Sequence, residues 1–204
     1  MENSKKTMKG LLLISAGIDS PVAGWLMLKQ GMELAGIHFS RDSESAPLRL
    51  LKKIGVKKCY IIQHWKFMEH LKKCNARYTC LLCRRTMFRI AEKIAQKEGY
   101  NYLVTGENLG QVASQTLDNL TACNKAVKIN IFRPVLCNDK VETINLAKKI
   151  GTYDVSTEPT EKCPFLPKYP ATRASVEEIE QEEQNLDTDK MVKEAVKSAK
   201  LIHL

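Results

Sequence analysis

Residues 11–20, Leu-Leu-Leu-Ile-Ser-Ala-Gly-Ile-Asp-Ser, decide the fold. Four apolar residues run straight into a small polar turn, and a helical pattern follows from Pro21. A strand buried in a parallel sheet reads this way when it empties into a phosphate-binding loop. Ser15, Gly17 and Ser20 are small enough to let a phosphate reach the backbone. Pro21 suits the first turn of a helix, where its missing N–H would have had no partner. The helix N-terminus offers N–H groups and a partial positive charge to an anion. Asp19 is the odd member, because a carboxylate facing a phosphate repels it unless Mg²⁺ sits between them. The stretch therefore predicts ATP with Mg²⁺ rather than a bare phosphate.

The loop lacks the Gly-Lys-Ser/Thr ending of a Walker A motif, and it is not the GxGxxG dinucleotide fingerprint. It resembles the PP-loop of the ATP pyrophosphatases, Ser-Gly-Gly-x-Asp-Ser/Thr, with Ala16 in place of the first glycine. A methyl group is tolerated there if the backbone keeps φ negative. The plain alternative is an ordinary strand–turn–helix connection with serines capping the helix, and the rest of the chain weighs against it.

Outward from the loop, 204 residues suit one substantial domain with a short tail. A hydrophobic share of 44% and a charged share of 27% belong to a soluble globular protein. No apolar run reaches the length of a membrane span, and the first nine residues lack the apolar core of a signal peptide. The expectation is a cytoplasmic protein with no membrane partner. The net charge of +9 is uneven: residues 175–204 hold eight acids and four bases, leaving 28 bases against 15 acids before them. A basic body invites a polyanionic partner, although lysine-rich solubility gives the same balance.

After the loop, Val22–Gln30 reads as a helix ended by Gly31, Glu33–Phe39 as a second strand, and Ser40–Ser45 as a loop. A helix over Leu48–Ile54, a strand over Val56–Ile62 and a helix over 65–74 follow. Arg84–Glu98 is the clearest helix, with Met87, Ile90, Ala91, Ile94 and Ala95 on one face and Gly99 as its stop. Tyr102–Thr105 is a fourth strand, Gly106-Glu107-Asn108 a polar turn, Val112–Asn119 a helix and Asn130–Phe132 a fifth strand. Asp139–Ile150 is helical, 152–174 is an irregular loop with four prolines, and 175–199 is helical and amphipathic. Alternating strands and helices mean a parallel sheet covered on both faces, with its ligand at the carboxyl ends of the strands. The PP-loop, His38-Phe39 and Gly106-Glu107 all fall at such ends.

Seven cysteines without a signal peptide point to reduced thiols, metal or catalysis rather than a disulfide framework. Cys80-Leu-Leu-Cys83 places two thiols one helical turn apart, which reads as a redox pair, half of a zinc site or part of an iron–sulfur cluster. Cys163, on the proline-fenced loop, is a candidate third ligand, and Cys74 and Cys123 are the candidates for a fourth. Cys59 and Cys137 read as ordinary thiols.

Together these stretches resemble the PP-loop domain of the tRNA 4-thiouridine synthetase family, ThiI. The match rests on Ser15–Ala23, His38-Phe39, the Arg84–Ala95 helix, the Val104–Thr116 string, Arg133-Pro134, Lys149–Tyr153 and the Cys163 loop. Gly-Glu-x-Leu-Gly-Gln-Val-x-Ser-Gln-Thr is the most specific of them. The resemblance implies a Rossmann-like α/β PP-loop fold with a five-stranded, mostly parallel sheet, covering residues 1–174, and an acidic helical extension over 175–204. It implies a tRNA sulfurtransferase that adenylates a uridine carbonyl with ATP before sulfur displaces AMP. Leu13, Ile14, His38 and Phe39 would border adenine and ribose, Gly106 and Gln115 would close the pocket, and Arg84 would touch the nucleotide. Ser15, Gly17, Asp19 and Ser20 would form the phosphate loop, with Asp19 and Cys163 as the catalytic residues. The CxxC marks the archaeal-type branch, in which Cys80, Cys83 and Cys163 would hold a [4Fe–4S] cluster. In rhodanese-bearing members the match to Cys163 carries persulfide.

The family's THUMP and rhodanese regions fall outside these 204 residues, as they would in an excised fragment. The expected partners are tRNA, met by the chain's basic face or through a separate THUMP-type protein, and a sulfide or persulfide donor; a homodimer is among the expected assemblies. Two rival readings are a nucleotide-binding subunit without its own catalysis and a PP-loop enzyme that adenylates or thiolates another acceptor.

Overall fold

The computed structural model describes residues 7–40, 45–160 and 163–204. Residues 41–44 of the loop expected over Ser40–Ser45, and the two residues before Cys163, lie outside them. The elements run β1 (Lys9–Leu13), α1 (Asp19–Lys29), β2 (Glu33–Ser40), α2 (Ser45–Ile54), β3 (Lys58–Gln63), α3 (His64–Leu71), α4 (Thr79–Glu98), β4 (Tyr102–Val104) and α5 (Leu117–Asn124). They continue with β5 (Asn130–Phe132), α6 (Lys140–Lys149), α7 (Tyr153–Ser156), α8 (Val176–Glu183), α9 (Thr188–Lys197) and β6 (Lys200–His203).

The apolar run of β1 is buried on both faces because successive residues point to opposite sides of a strand. Leu11 joins Ile37, Ile62, Phe88 and Ile90 in the core beneath α4, whereas Leu12 joins Val22, Leu51 and Ile61 beneath α1 and α2. The helix α1 lies close against β1, since a Cβ on Gly24 would stand 2.5 Å from Leu12 Cδ2 and 3.0 Å from Ile54 Cδ1. The sheet order is β5-β4-β1-β2-β3-β6. Its first five strands are parallel, with Leu13 opposite Ile37 and Leu12 opposite Val104. From β1 the chain moves to one side for β2 and β3 and later returns to the other side for β4 and β5. The switch point between β1 and β4 is where such sheets open a crevice.

Three expectations need correction. The sheet has six strands among the described residues, because Lys200–His203 pairs antiparallel with β3, Lys58 facing His203. Lys-Leu-Ile-His has only two apolar residues, and its partner strand rather than its own pattern makes it a strand. The helix expected over Val112–Asn119 is instead a 3₁₀ turn at Ala113–Gln115 followed by α5. Gly110 at φ +77° and extended Val112 break the pattern, and the Thr116 hydroxyl caps the later helix by accepting from Asn119 N. The helix α4 starts at Thr79 rather than Arg84, after a 3₁₀ turn in which Asn75 Oδ1 accepts from Arg77 N. Both CxxC cysteines therefore ride on its first turns.

Residues 175–204 form two helices and a strand, α8 opening with a capping box between Ser175 and Glu178. Ile179, Met191, Val192 and Ala195 share the core beneath α4. The joint is ionic. Arg85, 1% exposed, donates to both carboxylate oxygens of Glu183 at 2.8 and 2.7 Å, and Arg89 donates to the same carboxylate. Burial alone would raise the Glu183 carboxyl, but the hydrogen bonds from Arg89 and Arg85 outweigh it and hold the group below the usual carboxylate range. A depressed carboxyl stabilises the fold above its unfolded pKa, and that contribution is lost as pH falls through the folded value. Glu183→Ala strands the buried Arg85 charge and is expected to cost about 3–5 kcal/mol in urea unfolding at pH 7. The difference between wild type and variant should shrink as pH falls below the ordinary carboxylate range and through the depressed folded value at which the wild-type carboxylate takes up a proton.

Candidate active site

The loop after β1 is closed by its own serines. Ser15 N donates to Ser20 Oγ at 3.0 Å, the two hydroxyls are 3.1 Å apart, and Gly17 N donates to Ser15 Oγ at 3.2 Å. Ser156 on α7 donates to Gly17 O at 3.4 Å. No side chain caps α1 at Ile18, so its first turn faces the loop without an internal acceptor. Ala16 is accommodated, because no described residue other than glycine has positive φ. Gly106, just past β4, presses on this turn: a Cβ there would lie within 2.6 Å of the Asp19 carbonyl carbon and Ser20 Cα. A Cβ on Gly17 would meet only Ser15 Oγ, at 3.5 Å, so that side of the loop is open.

A cavity of about 370 Å³ opens at the β1–β4 switch point. The loop lines it with Leu13, Ser15, Gly17, Asp19 and Ser20; the segment after β4 contributes Gly106, Glu107, Ser114 and Gln115. Cys80, Cys83 and Arg84 reach it from α4, and Cys163 and Phe165 from the proline-rich loop. Eleven residues singled out from the sequence thus meet in one place. Ile14, His38 and Phe39 do not line it. Ile14 is buried and its carbonyl lies 2.9 Å from His38 Nδ1, while Phe39 is buried edge-on against Phe67.

Glu107, placed by the sequence at a strand end but given no role there, is a buried member of the site. It is 5% exposed and accepts from Arg84, from Arg133 Nε at 2.6 Å and from Thr105 Oγ1 at 3.1 Å. Burial would raise its carboxyl, but the two guanidinium groups win and hold it below the usual range. Two cations against one anion leave the cluster one positive charge beside the phosphate loop. His64 was passed over; its Nε2 lies 3.2 Å from Cys83 Sγ. Its place at the carboxyl end of β3 was the available signal. Asp19 is half-buried: burial raises its carboxyl and Lys140 opposes the rise across a second, smaller cavity of about 250 Å³.

Burial pushes up the Cys80 thiol and, more strongly, that of Cys83, with the other thiols adding to the effect and Arg84 opposing it. Among the described residues no three His, Cys, Asp or Glu side chains are gathered tightly enough for one metal ion. Three thiols lining one cavity are a donor set of the kind that can hold an iron–sulfur cluster. Binding such a group would release the thiol protons. Neither suggested fourth ligand lines the cavity: Cys74 Sγ donates to Glu182 O at 3.4 Å, and Cys123 is fully buried, its thiol pushed up to about 12.

The family model for "Thiamine biosynthesis protein (ThiI)" matches residues 6–188. A probable tRNA sulfurtransferase of Thermoanaerobacter sp. (strain X514) is 40% identical over 197 residues, covering 90% of this chain and 52% of the relative. That of Alkaliphilus metalliredigens (strain QYMF) is 43% identical over 201 residues, covering 92% and 51%. A crystal structure of a 4-thiouridine synthetase–RNA complex with bound ATP superposes with a TM-score of 0.92 at 38% identity, over 97% of this chain and 55% of that one. The chain spans about half the length of the curated relatives it matches. With the PP-loop, the switch-point cavity and these matches in agreement, the chain belongs to the ThiI family.

Proposed function

We propose that this chain carries out the ATP-dependent chemistry of tRNA thiolation, adenylating a uridine carbonyl oxygen and replacing it with sulfur. The observation that carries the reading is the meeting of the phosphate loop, Arg84 and three cysteines in one cavity. The similarity to a 4-thiouridine synthetase solved with RNA and ATP supports it. In the first step the uridine O4 bonds to the α-phosphorus as the bond to the bridging oxygen breaks, and pyrophosphate leaves with that electron pair. In the second, the sulfur of a hydrosulfide bonds to C4, its proton is released, and AMP departs with the oxygen and the C–O electron pair.

The chain's own groups divide this work. The turn N–H groups and the first turn of α1 hold phosphate oxygens. Arg84, fixed by Glu107, supplies positive charge where phosphate negative charge concentrates. Asp19 would hold Mg²⁺ against the phosphates. Leu13, Met87, Phe88 and Phe165 wall the cavity with apolar surface that keeps water from the activated carbon. Cys80, Cys83 and Cys163 would hold a [4Fe–4S] cluster, which when bound supplies an iron with affinity for sulfide. The excess of bases over acids before residue 175 suits a tRNA substrate.

Asp19→Ala is expected to lower AMP formation by at least about 100-fold while the circular dichroism melt stays close to wild type. Unchanged turnover would sink the assignment. Anaerobic reconstitution with iron and sulfide should give a brown protein, and Cys80→Ala, Cys83→Ala and Cys163→Ala should each lose iron and thiolation together while ATP binding survives. A colourless, iron-free wild type that still thiolates would leave Cys163 as a persulfide carrier. If six to ten tRNA phosphates are met, affinity should fall by about three to five decades between 50 and 200 mM salt; a flat salt response would assign tRNA recognition to another protein.

A further inference from the structure

Cys163 and Phe165 line the cavity, and the stretch they begin leads away from its rim to a tied-down end at Ala171 and Thr172. Ala171 N donates to Arg77 O at 2.9 Å, Asn119 Nδ2 donates to Ala171 O at 3.0 Å, and Thr116 Oγ1 donates to Thr172 O at 2.8 Å. The stretch is thereby fixed to the turn before α4 and to the start of α5. Its backbone is anchored, yet its outward side chains are unusually open. Tyr169 is 75% exposed, Leu166 60% and the adjoining Leu117 67%. Cations accompany them: the Lys168 ammonium lies 5.4 Å from the Tyr169 ring centre and Lys72 lies 5.6 Å from that of Phe165. Arg77 and Arg173 stand where the three segments are tied, Arg173 paired with Asp118 at 3.1 Å in an open ion pair of little worth in water.

One open aromatic ring, Tyr169, flanked by exposed apolar and cationic side chains matches the chemistry of unpaired nucleic acid, in which bases stack and phosphates seek positive charge. A base whose carbonyl must enter a walled cavity has to leave its stack, and its neighbours then lose a stacking surface. We propose that this stretch is the stacking platform for that unpaired RNA segment, with Tyr169 under the base next to the modified uridine and Lys168, Arg77 and Arg173 on the flanking phosphates. The inference rests on the tRNA reading above.

The test uses the full chain and a tRNA transcript carrying 2-aminopurine beside the target uridine. Tyr169→Ala should weaken tRNA binding about 5- to 150-fold and abolish the fluorescence quenching seen with wild type, while ATP affinity stays unchanged. Tyr169→Phe and Tyr169→Trp, which keep the ring, should bind within about twofold of wild type. Lys168→Ala and Arg173→Ala should each reduce the log–log salt slope by about one. Wild-type binding that Tyr169→Ala leaves within about twofold, with quenching intact, would overturn this inference alone. Unaltered RNA binding with a loss of self-association in sedimentation would give the stretch to a second copy and overturn it as well. A wild-type chain that does not bind tRNA would assign tRNA recognition to another protein and overturn this inference, leaving the thiolation chemistry to the AMP-formation assay.

Discussion

The site depends on a backbone-to-backbone contact. Gly106, past the end of β4, touches the first turn of α1 so closely that no side chain fits between them. The contact fixes the distance between the two strand ends at the switch point, and thus the width of the cavity. Gly17, whose N–H donates to the Ser15 hydroxyl but whose outer side is open, has the opposite task of leaving room. One missing Cβ serves the packing of the protein against itself, and the other leaves space for a ligand.

On this frame a single helix carries two chemistries and the tie that steadies them. Cys80, Cys83 and Arg84 face the cavity from the first turns of α4. Arg85, the next residue, points the other way into the ion pair with Glu183. Buried guanidinium groups are costly unless paired. Arg84 and Arg85 meet this requirement with different carboxylates, one from the segment after β4 and one from α8. The helix is thereby fixed both to the sheet's carboxyl edge and to residues 175–204.

The parallel sheet and the phosphate loop were legible because their determinants are local: an apolar run, small residues, then a helix start within ten positions. Glu107 was not legible as a buried group, because an acid in a polar turn ordinarily faces water. Its burial depends on Arg84, 23 residues earlier, and Arg133, 26 residues later, which only the fold brings together. The same holds for β6, whose four residues become a strand through the edge of β3. The start of α5 was misplaced because Thr116 acts through a hydroxyl cap rather than through apolar periodicity. The cysteines were legible as a group, but the burial that pushes up the Cys80 and Cys83 thiols is nothing their spacing reveals.

The antiparallel pairing of residue 58 with residue 203 has a consequence for how the chain is made. During synthesis the outer edge of β3 emerges long before its partner, so its N–H and C=O groups remain open while residues 64–199 are still being added. An uncovered edge of this kind invites pairing between nascent chains on neighbouring ribosomes. Lys57 and Lys58 stand at its start, and the same stretch continues into Cys-Tyr-Ile-Ile. Their charge discourages such pairing until β6 arrives, and Leu204 N then closes the edge onto the carbonyl of Lys57 at 2.8 Å.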